Sequence, residues 1–121
     1  MSEADKYLEM AESSLKDAKM VKNDSERLFW NSLYYSLFYS AKASLISKGF
    51  EPKTHSGTDS LIGRELYKKE EIISADEASF YSDMRRIREE VDYEPFTTIT
   101  KDKDESIQNA ESLISKFKEI I

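Results

Sequence analysis

The sequence has no cysteine, one histidine, three glycines and two prolines in 121 residues. Without thiols there is no disulfide framework, no cysteine nucleophile and no cysteine-bound zinc, and the composition suits a reducing compartment. A lone histidine excludes a multi-histidine metal site. So few breakers leave little room for strands and tight turns, which favours an all-α fold. No apolar run approaches the roughly 18–20 residues that span a bilayer. The opening Met-Ser-Glu-Ala-Asp-Lys lacks the apolar core of a signal peptide, so a cytoplasmic location away from membranes is expected. Positive charge is also short: the formal charge of −6 argues against a broad electrostatic grip on a nucleic-acid backbone. One basic cluster is evident, Arg85, Arg86 and Arg88. No motif asks for a cofactor, and no carboxylate spacing calls for a metal.

What is present is organised around the stretch from Leu28 to Lys48. It carries Phe29, Trp30, Tyr34, Tyr35, Phe38 and Tyr39 and no charge between Arg27 and Lys42. Apolar residues recur at three- and four-residue steps as Phe29-Leu33-Leu37-Ala41-Leu45, with Trp30-Tyr34-Phe38 beside them. A helix apolar on most of its circumference is a buried one. The remaining stripe, Ser32-Ser36-Ser40, is small enough to admit a neighbouring helix closely. Gly49 suits the left-handed residue that ends a helix.

Around this rod the pattern predicts four further helices. Residues Ser2 to about Val21 place Leu8, Ala11, Leu15 and Ala18 on one stripe, flanked by Tyr7, Met10, Ser14 and Val21. Asp24 or Ser25 caps the long helix. After a loop containing Pro52, a shorter helix runs from about Gly57 to Glu70 with Leu61, Ile62, Leu66 and Tyr67 inward, and Gly63 in it suggests close backbone packing. Ser74-Ala-Asp-Glu77 is a capping box opening a fourth helix with Phe80-Met84-Ile87-Val91 inward, ending near Tyr93 before Pro95. Phe96 to Thr100 is a β-prone connector. Asp102 with Glu105 caps the last helix, which presents Ile107, Ala110, Ile114, Phe117 and Ile121. The expectation is one domain over residues 1–121, an antiparallel bundle of four to five helices.

Three places can carry chemistry. In Lys53-Thr54-His55-Ser56-Gly57, Lys53 and His55 at the mouth of a helix suit an anion; alternatively Thr54 or Ser56 caps the helix and His55 packs at a loop edge. On the fourth helix Tyr81, Arg85, Arg88 and Asp92 share one face, with Tyr93 beside them. Either Arg88–Asp92 is an exposed pair worth roughly 0.3–0.5 kcal/mol, or the long helix covers it and Arg88 forms part of a site. Tyr34, Tyr35 and Tyr39 are either core residues or hydroxyls and rings presented to a ligand.

The ordered set Tyr34-Tyr35-Ser-Leu-Phe38-Tyr-Ser-Ala41-Lys-Ala43, Lys48-Gly49-Phe50, Lys53-Thr54-His55-Ser56-Gly57 and Arg88-Glu-Glu-Val-Asp92-Tyr93 resembles the HEPN family, in particular its UPF0332-type branch. The resemblance implies a helical bundle, a homodimer, and pairing with a minimal nucleotidyltransferase in toxin–antitoxin-type systems, with nucleotide or RNA as ligand. Ribonuclease members carry an arginine followed by a histidine with four to six residues between them. Here those offsets reach Tyr93, Glu94 and Pro95 from Arg88, and Val91, Asp92 and Tyr93 from Arg86. The leading expectation is therefore a binding module that is not a competent ribonuclease, with Arg85, Arg88, Tyr35, Lys53 and His55 as ligand contacts. The alternatives are a metal-independent ribonuclease toxin, using Arg88 with Asp92, Tyr93 or His55, and a purely structural scaffold.

Overall fold

The structure, a computed structural model, describes residues 1–94 and 97–121. Its elements are α1 (Glu3–Val21), α2 (Glu26–Ser47), α3 (His55–Leu61) running into a π-helical stretch (Ile62–Lys69), α4 (Ala75–Tyr93) and α5 (Lys103–Ile120). There is no strand among the described residues. Side-chain oxygens cap each start. Ser2, Ser25, Thr54, Ser74 and Asp102 accept from amides of the first turn, and Ser2 and Ser74 complete reciprocal boxes with Asp5 and Glu77. Such caps satisfy amides that the helix itself leaves unpaired. At the end of α2, Gly49 takes φ 94°. Its amide and that of Phe50 return to the carbonyls of Ile46 and Leu45, both at 3.0 Å. This closing motif needs a left-handed residue, which glycine supplies without steric cost.

The core forms around α2. Phe29, Trp30, Leu33, Tyr34, Leu37, Phe38, Ala41 and Leu45 are all buried, joined by Leu66, Tyr81, Met84, Ile87, Leu113 and Phe117 from the later helices and by Ile73 from the link before α4. Each large side chain so enclosed contributes about 1.5–3 kcal/mol. Of the serine stripe, Ser36 and Ser40 are buried and Ser32 is half-buried, and Ser44 continues the buried line. The buried hydroxyls donate to carbonyls one turn back, Ser36 to Leu33 at 2.6 Å and Ser40 to Ser36 at 2.9 Å. Their polarity is thereby satisfied inside the helix. The closest pairing in the bundle is α1 with α2, and Ala4, Ala11 and Ala18 line the buried side of α1.

Cross-helix pairs give the directions. Lys118–Glu12, Lys19–Glu111 and Lys22–Asp104 run in opposite order along α1 and α5. Asn31–Asp92 and Tyr34–Tyr81 do the same for α2 and α4. So α1 lies antiparallel to α5, and α2 antiparallel to α4. Exposed ion pairs such as Lys19–Glu111 record the register and contribute at most about 1 kcal/mol each.

Several expectations need correction. The third helix starts at His55 rather than Gly57 and widens to a π-helix at Ile62. Gly63 marks no close approach: a Cβ there would meet nothing within 4 Å, because it faces an open concavity beside the widened turn. Leu61 and Tyr67 are half-buried rather than fully inward. Met10 is 42% exposed, one helical step off the alanine line, and Ile121 is 43% exposed because α5 ends at Ile120. Leu113 joins the buried face of α5. Pro95 and Phe96 lie outside the described residues, so the connector's first residue does too; Thr97–Thr100 has no regular structure.

Candidate functional site

Where α2, α3 and α4 meet, polar groups enter the aromatic core. Thr54 fixes the start of α3 by accepting from the Gly57 amide at 2.8 Å. The next residue, His55, is thereby laid on α2. Its ring stacks on Phe38 with centroids 4.2 Å apart and planes at 10°, and stands edge-on to Tyr35 at 5.6 Å. Its Nδ1 is 3.3 Å from the Tyr34 hydroxyl. Burial first, and then the charge of nearby Arg88, hold the imidazole below its ordinary pKa, so it is neutral at pH 7.

Arg88 comes from α4. Its guanidinium lies 5.2 Å from the Tyr34 ring and 5.9 Å from the Tyr35 ring. Asp92, one turn on, holds it at 3.4 Å, and the two side chains are only 12% and 15% exposed. Asn31 of α2 donates to the same Asp92 oxygen at 3.1 Å. The covered alternative for this pair is therefore the observed one: α2 lies over it. A cation against aromatic faces and away from water is held more firmly than one at the surface.

Behind these residues lies a second polar group. Asp59 of α3 is ion-paired with Arg85, which also reaches Glu89 at 3.3 Å. Burial nevertheless pushes the Asp59 carboxyl above its ordinary pKa, outweighing the help of Tyr81 and Arg85. The Tyr81 hydroxyl is wholly buried beside Asp59 and Tyr34, and its pKa is driven well up.

The sequence-predicted residues thus separate into three places. His55, Tyr35, Arg88 and Asp92 come together. Arg85 lines a concavity of about 380 Å³ with Asp59, Gly63 and Tyr81. Lys53 lines a different groove of about 430 Å³ with Lys42 and Phe50. Tyr93, at the end of α4, is 75% exposed. The spacing along α4 finds no histidine after its arginines, but α3 brings His55 to the platform that Arg88 covers. Sequence reasoning missed Asp59 altogether. Its signal was its place one helical turn after His55. Lys42 was missed as well; its Nζ sits 4.7 Å from the Tyr7 ring and 6.0 Å from Phe38, with no carboxylate within 4 Å among the described residues. Among the described residues no three histidine, cysteine, aspartate or glutamate side chains converge to hold a metal ion. None of the helices they form is long and apolar enough to cross a membrane.

The helical bundle agrees with the comparison to known families: the HEPN domain matches residues 4–121. The chain belongs to the HEPN domain family. A "UPF0332 protein" of Archaeoglobus fulgidus is 33% identical over 125 residues, covering 100% of this chain and 97% of the relative. "Putative toxin MJ0142" of Methanocaldococcus jannaschii is 32% identical over 104 residues, covering 85% and 70%. A "UPF0332 protein" of Thermotoga maritima is 29% identical over 127 residues, covering 100% and 96%.

Proposed function

We propose that this chain is a toxin-type HEPN module that binds RNA at the Tyr35–His55–Arg88 face and cuts it without a metal cofactor. One observation carries the reading: the only histidine and a covered arginine, from different helices, meet on the same tyrosine platform. Neutral His55 takes the proton of a ribose 2′-hydroxyl. The oxygen then attacks the adjoining phosphorus, and the bond to the 5′-oxygen of the next nucleotide breaks. The products are a 2′,3′-cyclic phosphate and a 5′-hydroxyl, which receives the proton back from the imidazolium. Arg88 lies against the negative charge that gathers on the phosphate, the kind of fixed charge that lowers such a barrier most. Half-buried Tyr7, Tyr35 and Tyr39 with Lys42 supply stacking surfaces and a cation, which suits single-stranded RNA in an otherwise acidic protein. The toxin class comes from the name of the Methanocaldococcus relative.

The test is incubation of total RNA with the protein in EDTA. Wild type cleaves, and Arg88→Ala and His55→Ala each slow cleavage about 100-fold or more while keeping the helical circular-dichroism signal. A wild-type protein that leaves RNA intact overturns the reading.

A second activity-controlling role is favoured by Tyr93. Its phenol is 75% exposed and follows Asp92, the residue that holds Arg88. A homodimer regulated by a nucleotidyltransferase partner would be controlled there: the Tyr93 oxygen attacks the α-phosphorus of ATP, pyrophosphate leaves with the phenolic proton released, and the adenylyl phosphate then stands one residue from the partner of Arg88. Co-expression with a minimal nucleotidyltransferase is expected to add one adenylyl mass to wild type and none to Tyr93→Phe. An unmodified wild type sets this second role aside.

A further inference from the structure

Behind His55 lie three further polar side chains, one from each helix of the site. Tyr34 from α2 and Tyr81 from α4 are buried, and the Asp59 side chain from α3 is only 14% exposed. The Tyr34 hydroxyl is 3.3 Å from His55 Nδ1. The Tyr81 hydroxyl stands beside both the Tyr34 hydroxyl and the Asp59 carboxylate. Among the described residues, the Tyr81 hydroxyl and both Asp59 oxygens are buried and make no well-directed hydrogen bond, Arg85 supplying Asp59's one ion pair. Leaving such groups unpaired in the interior is costly, and the nearest groups that can satisfy them are one another.

We infer that Tyr81 and Tyr34 relay a one-way hydrogen-bond chain from the Asp59 carboxylate to His55, which makes Asp59, Tyr81 and Tyr34 positioning residues for that imidazole. The direction follows from the chemistry of the end group. A carboxylate only accepts, and Arg85 pairs with it as the anion. Tyr81 therefore spends its single proton on Asp59. The Tyr81 oxygen accepts the Tyr34 proton, and the Tyr34 oxygen accepts from His55. The imidazole must then carry its proton on Nδ1 and keep its lone pair on Nε2, on the far side of the ring from Tyr34. Free imidazole side chains favour the opposite form, so the cluster imposes a state that the histidine would not choose. The tautomer is set by the hydrogen bond that the other nitrogen makes.

The inference rests on His55 acting as the base in the proposed cleavage, but its test does not. Because the sequence has one histidine, long-range ¹⁵N–¹H correlation spectra of untagged protein at pH 7.5 report His55 alone. Wild type is expected mostly in the Nδ1–H form. Tyr81→Phe, which keeps the ring and removes only the relay hydroxyl, is expected to return it mostly to Nε2–H, as is Tyr34→Phe. Wild type found mostly as Nε2–H overturns the inference without recourse to any variant. So does a folded Tyr81→Phe with the wild-type tautomer. Protein that shows the Nδ1–H form yet cleaves no RNA defeats the proposed function and leaves this chain standing.

Discussion

Two partly buried carboxylates, both set among helix contacts, behave in opposite ways. Glu77 joins α4 to α5. Its carboxylate accepts from the Ser74 amide at 2.8 Å and from Lys116 Nζ at 2.6 Å. Burial opposes its charge, but Lys116 and Ser74 outweigh burial and hold the group below its ordinary pKa. Asp59 joins α3 to α4, and there burial wins: its pKa is raised despite the Arg85 beside it. A carboxylate whose charge the fold welcomes helps to hold the bundle together. One whose charge the fold resists is retained for something other than stability, the pattern that functional sites show.

The sharpest separation of the two regions is by activity. Arg88→Ala and His55→Ala are expected to lower the initial rate of RNA cleavage by about 100-fold or more, about 3 kcal/mol in the barrier, whereas Glu77→Ala should leave that rate within about twofold. Next comes stability. Glu77→Ala removes half of a capping box and one partner of Lys116, and is expected to cost about 1–2 kcal/mol in urea unfolding. A cost under about 0.3 kcal/mol would erase the structural half of the comparison.

The pH dependence follows from the direction of the Glu77 shift. With a folded pKa below the unfolded 4.5, its contribution is complete above pH 4.5 and is lost as the pH falls through the folded value. The stability gap between wild type and Glu77→Gln should therefore narrow on acidification below pH 4.5; a gap unchanged down to pH 3 contradicts it. The smallest effect is expected at Arg86, next to Arg85 in sequence but on the outer face. Its ion pair with Glu90 spans 2.9 Å, yet the side chain is 59% exposed. Arg86→Ala should change stability by less than about 0.5 kcal/mol and cleavage by less than twofold, read by the same two assays.

Much of the frame was legible in the residues. The uncharged aromatic stretch of α2 predicts a buried rod, and Ser74-Ala-Asp-Glu77 predicts a helix start, because periodicity and capping act over a few residues. The end of α3 was not legible. A π-helical turn leaves no periodic mark, and it closes at Glu71 with φ 52°, where an L side chain rather than glycine takes the left-handed conformation. For the site, the shared face of Tyr81, Arg85, Arg88 and Asp92 could be read from helical spacing. The meeting of His55 with Arg88 could not, since it depends on where Thr54 starts α3 and on how α3 crosses α2. The burial of Asp59 was not legible for the same reason: its spacing puts it one turn after His55, but only the tertiary packing covers it.

The claim that the α2–α3–α4 polar centre is kept for its chemistry and not for holding the fold is tested most directly by the stability of Asp59→Asn. A carboxyl whose folded pKa is raised gives its full contribution to stability below its unfolded pKa of 3.8 and loses it as the pH rises through the higher folded value. The account therefore predicts that at pH 7 Asp59→Asn melts at the wild-type temperature or above it. A fall of more than about 4 °C, about 1 kcal/mol for a chain of this size, would contradict it.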